Sequence, residues 1–151
     1  MKGYDIMKNE NREYCKRIAE EIDEIVYGHV LKCPECGEII NEGDLHAVNG
    51  YGDAICPHCG AEHGPDEWNV TVWEYLSDAF DVEYRVSGDS TYRSARFMIA
   101  CGGPNVYVDT ATRSVELYWW AERASYLLSD EAVAEIDAYA EEMWECGRGC
   151  F

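Results

Sequence analysis

One short motif occurs twice in the chain, as Cys33-Pro34-Glu35-Cys36-Gly37 and as Cys56-Pro57-His58-Cys59-Gly60, with 19 residues between Cys36 and Cys56. Each copy offers two thiolates close in sequence, a proline that sets the turn, and a glycine where the backbone passes beneath a metal. The spacing is within the range of four-cysteine zinc modules. We therefore predict that one Zn²⁺ is bound by Cys33, Cys36, Cys56 and Cys59.

The segment around these motifs has few apolar residues, and glycines such as Gly43, Gly50 and Gly52 interrupt them. A bound zinc ion would supply the missing stability, since zinc binding in small modules is worth about 10 to 16 kcal/mol. Residues 31 to 63 resemble the zinc-ribbon family. A closed set of four thiolates leaves no position for a reactive water, which predicts a structural ion and not a catalytic one.

Other interpretations of the cysteines stay open at this point. The knuckles can also belong to an iron–sulfur or redox site, or carry unliganded thiols. We expect His58 and His63 to be surface histidines, not ligands. Three interpretations of Cys146 and Cys150 stay open: a second metal pair, a redox pair, or free thiols at a frayed helix end. We prefer the free thiols. The roles of Cys15 and Cys101 are not predicted beyond burial of Cys101.

Apolar side chains recur at helical spacing in three segments, which predicts three amphipathic helices. The first runs from about Glu10 to Tyr27 and the second from Asp66 to Phe80. The third follows Ser129, whose hydroxyl can accept a hydrogen bond from the first turn and so cap the helix.

Between Val82 and Trp120 the apolar period becomes two, which indicates strands. Turns at 87–90, 102–104 and 110–113 divide this region into four. The sequence thus predicts an α+β fold with an N-terminal helix, a zinc ribbon, a helix, an antiparallel four-stranded meander and a C-terminal helix. We expect the segments 1–29, 30–64 and 65–151 to pack as one compact unit.

The charge balance favours some partners over others. With 30 acidic and 12 basic residues the net charge is −18, so direct binding to nucleic acid is disfavoured and a basic protein partner is favoured. A plainer explanation is that the charge keeps the protein soluble. The sequence has no apolar run that could span a membrane and no signal-peptide core, so we expect a cytoplasmic location. The oligomeric state is not predicted.

The chain has no recognisable set of catalytic residues. All four histidines precede the strands, so Cys101 lacks an evident base, and we interpret it as a small buried apolar residue. A serine elbow, a phosphate-binding loop and a metalloprotease helix are absent from the sequence. We therefore predict that the protein is not an enzyme.

Two further stretches carry a family resemblance, Cys101-Gly102-Gly103-Pro104-Asn105-Val106-Tyr107-Val108-Asp109-Thr110 and Glu116-Leu117-Tyr118-Trp119-Trp120. They look like small proteins of phages and mobile elements. Together with the ribbon, they are similar to zinc-containing anti-CRISPR proteins that inhibit type II RNA-guided nucleases. The resemblance implies a cytosolic inhibitor that docks on the effector nuclease and blocks loading or cleavage of target DNA.

Such an effector holds its heteroduplex in a positively charged channel, which suits an acidic binder. The first alternative is a zinc-ribbon accessory protein of a transcription or replication complex, and the second is an uncharacterised hydrolase. For any single carboxylate, a solvated face without a partner is the more common explanation. The candidate contact residues are Glu135, Asp137, Glu141, Glu142 and Glu145 on the last helix and Glu35, Glu38 and Glu42 on the ribbon.

Overall fold

A computed structural model describes residues 3–28, 30–68 and 70–148. The predicted α+β class is confirmed. The chain divides into two compact units, one formed by the residues up to Asp23 together with those from Val72 onward, and the other by Glu24–Thr71. The second unit contains the predicted ribbon, while the division into 1–29, 30–64 and 65–151 stays a prediction.

The elements follow one another in an order close to the predicted one. Helix α1 covers Gly3–Val26 and is followed in the ribbon by five short strands and by the 3-10 helices Glu42–Asp44 and Pro65–Trp68. The strands and remaining helices are β1 (Val30–Lys32), β2 (Ile39–Asn41), β3 (His46–Ala47), β4 (Ala54–Ile55), β5 (Glu62–His63), α2 (Val72–Leu76), β6 (Asp81–Val86), β7 (Tyr92–Ala100), β8 (Asn105–Asp109), β9 (Ser114–Trp119), β10 (Glu122–Leu127) and α3 (Asp130–Arg148).

The second predicted helix, from Asp66 to Phe80, is shorter in the structure. Only Val72–Leu76 is α-helical, and a 3-10 turn precedes it. The β-branched residues Val70 and Thr71 lie between the two pieces, and such side chains lose rotamer freedom in a helix. The last helix begins as predicted, because the Ala132 N–H donates to Ser129 Oγ at 3.1 Å.

The prediction of a four-stranded meander is wrong by one strand. The large unit contains a five-stranded antiparallel sheet in the order β10-β9-β8-β7-β6. The sequence does not predict strand β10, because its hairpin turn, Trp120-Ala121, has none of the usual turn residues. In this turn Trp120 adopts a positive φ of 54°.

The two faces of this sheet differ in chemistry. Phe97, Val108 and Val115 lie side by side across three strands and are buried. Tyr139 of α3 stacks on Phe97 with a centroid separation of 6.4 Å, so α3 covers this apolar face. The opposite face carries Arg85, Arg96, Asp109, Ser114 and Glu116. Among the described residues, no helix is long and apolar enough to cross a membrane.

The cysteines outside the motifs are dispersed. Cys101 is exposed, which corrects its predicted burial: β7 ends at Ala100 after a register shift, so Cys101 falls in the following turn. Cys15 is buried in α1, and burial raises the pKa of its thiol to about 11. Cys146 is exposed, and Cys150 lies outside the described residues.

Candidate metal centre

The structure brings the four motif cysteines together. Their sulfur atoms all lie within 4.8 Å of one another, and both the Cys33–Cys59 and the Cys36–Cys56 sulfur pairs are 3.7 Å apart. Sulfurs at about 2.3 Å from one ion occupy the corners of a tetrahedron with edges of about 3.8 Å. The thiols are not disulfide-bonded, and a multi-iron cluster would fill the space between them and push them apart. The arrangement therefore fits a single metal ion such as zinc.

The two knuckles form matching hydrogen bonds in their backbones. In the first, the Cys33 N–H donates to Glu38 O at 3.0 Å and the Gly37 N–H donates to Cys33 O at 2.9 Å. In the second, Cys56 donates to Ala61 O at 2.8 Å and Gly60 donates to Cys56 O at 2.9 Å. The repeated sequence motif thus folds into the same loop twice, and each loop presents two sulfurs.

Both loops need glycine at the fifth motif position. Gly37 has a φ of +75° and Gly60 a φ of +76°. This left-handed conformation costs an L-residue with a side chain roughly 1 to 2 kcal/mol. The glycines are therefore required by the backbone, as the sequence pattern predicts.

A small apolar cluster lies beside the sulfurs. Cys33 and Cys56 are buried, whereas Cys36 and Cys59 are exposed. The two buried thiols pack in a cluster with Ile40, Ala54 and Trp68, and Leu31 and Leu45 flank it. This is a small core for a unit of 48 residues, Glu24–Thr71, which supports the inference that a metal supplies much of its stability.

The pKa values of the thiols are also consistent with a bound cation. Burial opposes ionisation of Cys56, but the Cys59 and His58 N–H groups donate to its sulfur, and its pKa falls to about 6. At Cys36 the Glu38 N–H favours the thiolate, yet local desolvation and hydrogen bonds with the neighbouring sulfurs outweigh it and raise the pKa to about 12. Four adjacent sulfurs cannot all carry charge unless a cation balances them, and zinc binding would displace the remaining protons.

The two ribbon histidines differ from each other. His58 is exposed, as expected. His63 is not a plain surface residue, because its side chain is only 14% exposed. Its Nδ1 lies 3.3 Å from Glu67 Oε2 and its Nε2 3.7 Å from Glu35 Oε1, and its ring meets Trp68 edge-on. Trp68 in turn donates to the His63 carbonyl at 3.0 Å. His63 is therefore a packed residue of the ribbon, in contact with Trp68, Glu67 and Glu35.

The predicted acidic contact residues are placed as follows. Asp137 is partly buried and accepts a hydrogen bond of 2.7 Å from the Tyr92 hydroxyl, so it supports the packing of α3 on β7. The side chain of Glu42 lies outside the described residues. The exposed candidates are Glu135, Glu141, Glu142 and Glu145 on α3 and Glu35 and Glu38 on the ribbon.

Sequence reasoning missed a polar cluster on the open face of the sheet. Arg85 and Arg96 both approach the buried carboxylate of Asp109, and the Arg96 guanidinium lies 3.6 Å from the centroid of the Tyr107 ring. The alternating pattern of β6 to β8 places these residues on one face, but the strand pairing is needed to bring them together.

Comparison with known proteins gives no relative: no family model, no curated protein and no solved structure matches the chain significantly. The four-cysteine geometry agrees with a zinc ribbon, while the anti-CRISPR resemblance has no support from a homologue. The function of the protein must therefore be inferred from its own residues.

Proposed function

We propose that the protein is a zinc-stabilised, non-enzymatic binder that docks on a basic surface of a nucleic-acid enzyme. The observation that carries the proposal is the combination of a closed four-cysteine site with a net charge of −18. The zinc ion, held by Cys33, Cys36, Cys56 and Cys59, would maintain the fold of the ribbon and take no part in chemistry.

The acidic face of α3 is the first candidate for the docking surface. Glu135, Glu141, Glu142 and Glu145 are all exposed on this helix. Carboxylates that face a basic patch speed association and select the partner, since opposite potentials steer the encounter. The ribbon carboxylates Glu35 and Glu38 form a second acidic surface.

The more specific proposal is an anti-CRISPR inhibitor acting in the cytoplasm of a bacterial host. A type II effector binds its guide–target heteroduplex in a basic channel, and an acidic protein seated there would block loading or cleavage of target DNA. The sequence resemblance and the charge support this choice. A ribbon accessory protein of a transcription or replication complex is the alternative outcome.

The test is a pull-down of guide-loaded type II effectors at low and at high salt, with cleavage of target DNA measured in parallel. We expect a salt-sensitive complex and inhibited cleavage. If no type II effector forms such a complex, the inhibitor proposal fails. Capture of RNA polymerase or of a replication subunit instead would favour the accessory role.

A matched pair of variants separates a defined surface from bulk charge. One variant changes Glu135, Glu141, Glu142 and Glu145 to glutamine, and the control changes Glu10, Glu13, Glu20 and Glu24 of α1 to glutamine. Both remove the same charge from exposed positions. We expect about tenfold weaker binding for the α3 variant only, equivalent to roughly 1.4 kcal/mol. Equal losses would assign the effect to net charge and not to α3.

A further inference from the structure

Strand β10 leaves one side of its backbone unpaired within the sheet. It is the outermost strand, next to β9. The Leu128 N–H donates to Arg113 O at 2.8 Å, which continues the pairing of Leu127 with Ser114. In an antiparallel pair, residues alternate between those bonded to the neighbouring strand and those that point away. The N–H and C=O groups of Arg123, Ser125 and Leu127 therefore point outward from the sheet.

A cavity of about 600 Å³ lies over the open face of the sheet at β9 and β10, where its lining includes Ser114, Glu116 and Tyr118 of β9. Arg123, Ser125 and Leu127 form one side, and Asn9 and Arg12 of α1 contribute to its lining. The volume is within the range of about 300 to 1,000 Å³ that binding sites occupy. The unpaired edge of β10 thus borders a space large enough for side chains of a bound segment.

The charges in this cavity differ from those of the rest of the protein. The guanidinium carbon of Arg12 lies 5.4 Å from the centroid of the Tyr126 ring, and that of Arg123 lies 5.3 Å from the centroid of the Tyr118 ring. Among the described residues, neither arginine forms an ion pair, although acidic residues outnumber basic ones by 30 to 12. Arg12 and Arg123 therefore line the cavity without an ion pair among the described residues, and Arg123 interacts with the Tyr118 hydroxyl.

The one carboxylate in the described lining is already engaged. Glu116 Oε1 accepts a hydrogen bond of 2.7 Å from Thr112 Oγ1, and its Oε2 accepts one from the Tyr118 hydroxyl. The hydrogen bond to Glu116 raises the pKa of Tyr118, so this hydroxyl remains a donor. These two hydrogen bonds hold the Glu116 carboxylate beside Thr112 and Tyr118, and among the described residues it forms no ion pair with Arg12 or Arg123.

We propose that the edge of β10 binds an extended acidic segment of a partner protein, which adds to the sheet as a sixth strand beside β10. The backbone of the segment pairs with Arg123, Ser125 and Leu127, and its carboxylates meet Arg12 and Arg123. Backbone pairing supplies affinity in this mode of recognition, and the side chains at alternate positions supply specificity. The site uses none of the carboxylates of the proposed docking surfaces and does not depend on them.

The first experiment selects binders from a displayed library of random seven-residue peptides, with the full-length zinc-loaded protein as target. We expect enrichment of peptides that combine β-branched residues with Asp or Glu. Failure to enrich any peptide, or enrichment of basic ones, would overturn the proposal. If inorganic phosphate or free glutamate binds in an Arg12- and Arg123-dependent manner and no peptide does, the cavity is a small-anion site and the proposal is again wrong.

The second experiment measures the affinity of the best peptide by fluorescence anisotropy. Arg12→Glu and Arg123→Glu should each weaken binding at least tenfold, since each replaces an attraction by a repulsion. Arg93→Glu is the matched control, because it makes the same change of charge at an exposed arginine that is not among the described residues lining the cavity. Equal affinities for the reversed variants and the control would exclude the arginines as the binding groups.

The third experiment tests the backbone pairing itself. Ser125→Pro removes an outward N–H, and proline is tolerated on edge strands where the N–H does not bond within the sheet. We expect about tenfold weaker binding with unchanged circular dichroism and zinc content. Should this variant fold poorly, N-methylation of single peptide amides probes the same bonds from the ligand side, and alternate positions should respond. Undiminished binding for every methylated peptide would disprove strand addition.

Discussion

Arg85 reaches across the open face of the sheet and donates two hydrogen bonds to Asp109, from Nη1 to Oδ1 at 2.8 Å and from Nη2 to Oδ2 at 2.9 Å. The Asp109 side chain is 2% exposed, whereas that of Arg85 is 44% exposed. The Ala111 N–H donates to the same carboxylate at 2.8 Å. The buried Asp109 carboxylate therefore binds β6 through Arg85 and the turn after β8 through Ala111.

Removal of Arg85 should destabilise the large unit. Arg85→Met keeps part of the apolar stem but leaves the Asp109 carboxylate with fewer donors in a buried position. We expect the free energy of unfolding to fall by about 2 kcal/mol, measured by urea denaturation. Arg93→Met is the control, since Arg93 is an exposed arginine of the same sheet. A loss of stability no larger than that of the control would show that water replaces the guanidinium as hydrogen-bond donor to Asp109.

Acid should weaken the same interaction. Burial raises the pKa of Asp109, but the hydrogen bonds from Arg85 and Ala111 outweigh it, and the pKa lies below its ordinary value. A carboxyl whose pKa is lower in the folded state stabilises the fold above the unfolded value of about 3.9, and this contribution is lost as the pH falls further. We expect the free energy of unfolding to decrease below about pH 5, and less steeply in Asp109→Asn. Parallel curves for the two proteins would contradict this role.

The features that the sequence could predict are those with a local signal. The repeated Cys-Pro-x-Cys-Gly motif needs only its own residues to form a loop, and Ser129 caps α3 through its own first turn. Strand β10 and the exposure of Cys101 were missed because they depend on a glycine-free turn and on a register shift. The pairing of Arg85 with Asp109 joins residues 24 positions apart, and only the assembled sheet brings them together.

The Ser129 cap is open to a direct test. Its hydroxyl oxygen accepts from the Ala132 N–H at 3.1 Å, and the hydroxyl itself donates to Asp23 of α1. Loss of such a cap typically costs about 1 kcal/mol. Ser129→Ala should therefore lower the free energy of unfolding by about that amount in urea denaturation. Ser129→Thr retains the hydroxyl and should recover most of the loss, and its failure to do so would argue against capping.

The knuckle glycines should control metal affinity. Gly37→Ala and Gly60→Ala force alanine into a φ near +75° and should each weaken zinc binding about tenfold, because the conformation costs roughly 1 to 2 kcal/mol. Competition with a chromophoric chelator measures the affinity. Gly43→Ala is the control, since Gly43 lies in the same unit, has no positive φ and has space for a methyl group. A similar loss of zinc affinity in all three variants would show that the positive φ of Gly37 and Gly60 is not the cause.

Removal of the metal should unfold residues 30 to 63. The apolar cluster around Trp68 is small, and zinc binding is worth about 10 to 16 kcal/mol in comparable modules, so the ribbon should not retain its structure without the ion. Elemental analysis should find one zinc per chain, and chelation, Cys33→Ser or Cys56→Ser should abolish the protection of ribbon amides in hydrogen exchange followed by NMR. Cys101→Ser is the matched control, because Cys101 is exposed and lies outside the cluster, and it should change neither the zinc content nor the exchange. Protected ribbon amides in metal-free protein would show that the four thiols are not a structural metal site, since the fold would then stand on its apolar contacts alone.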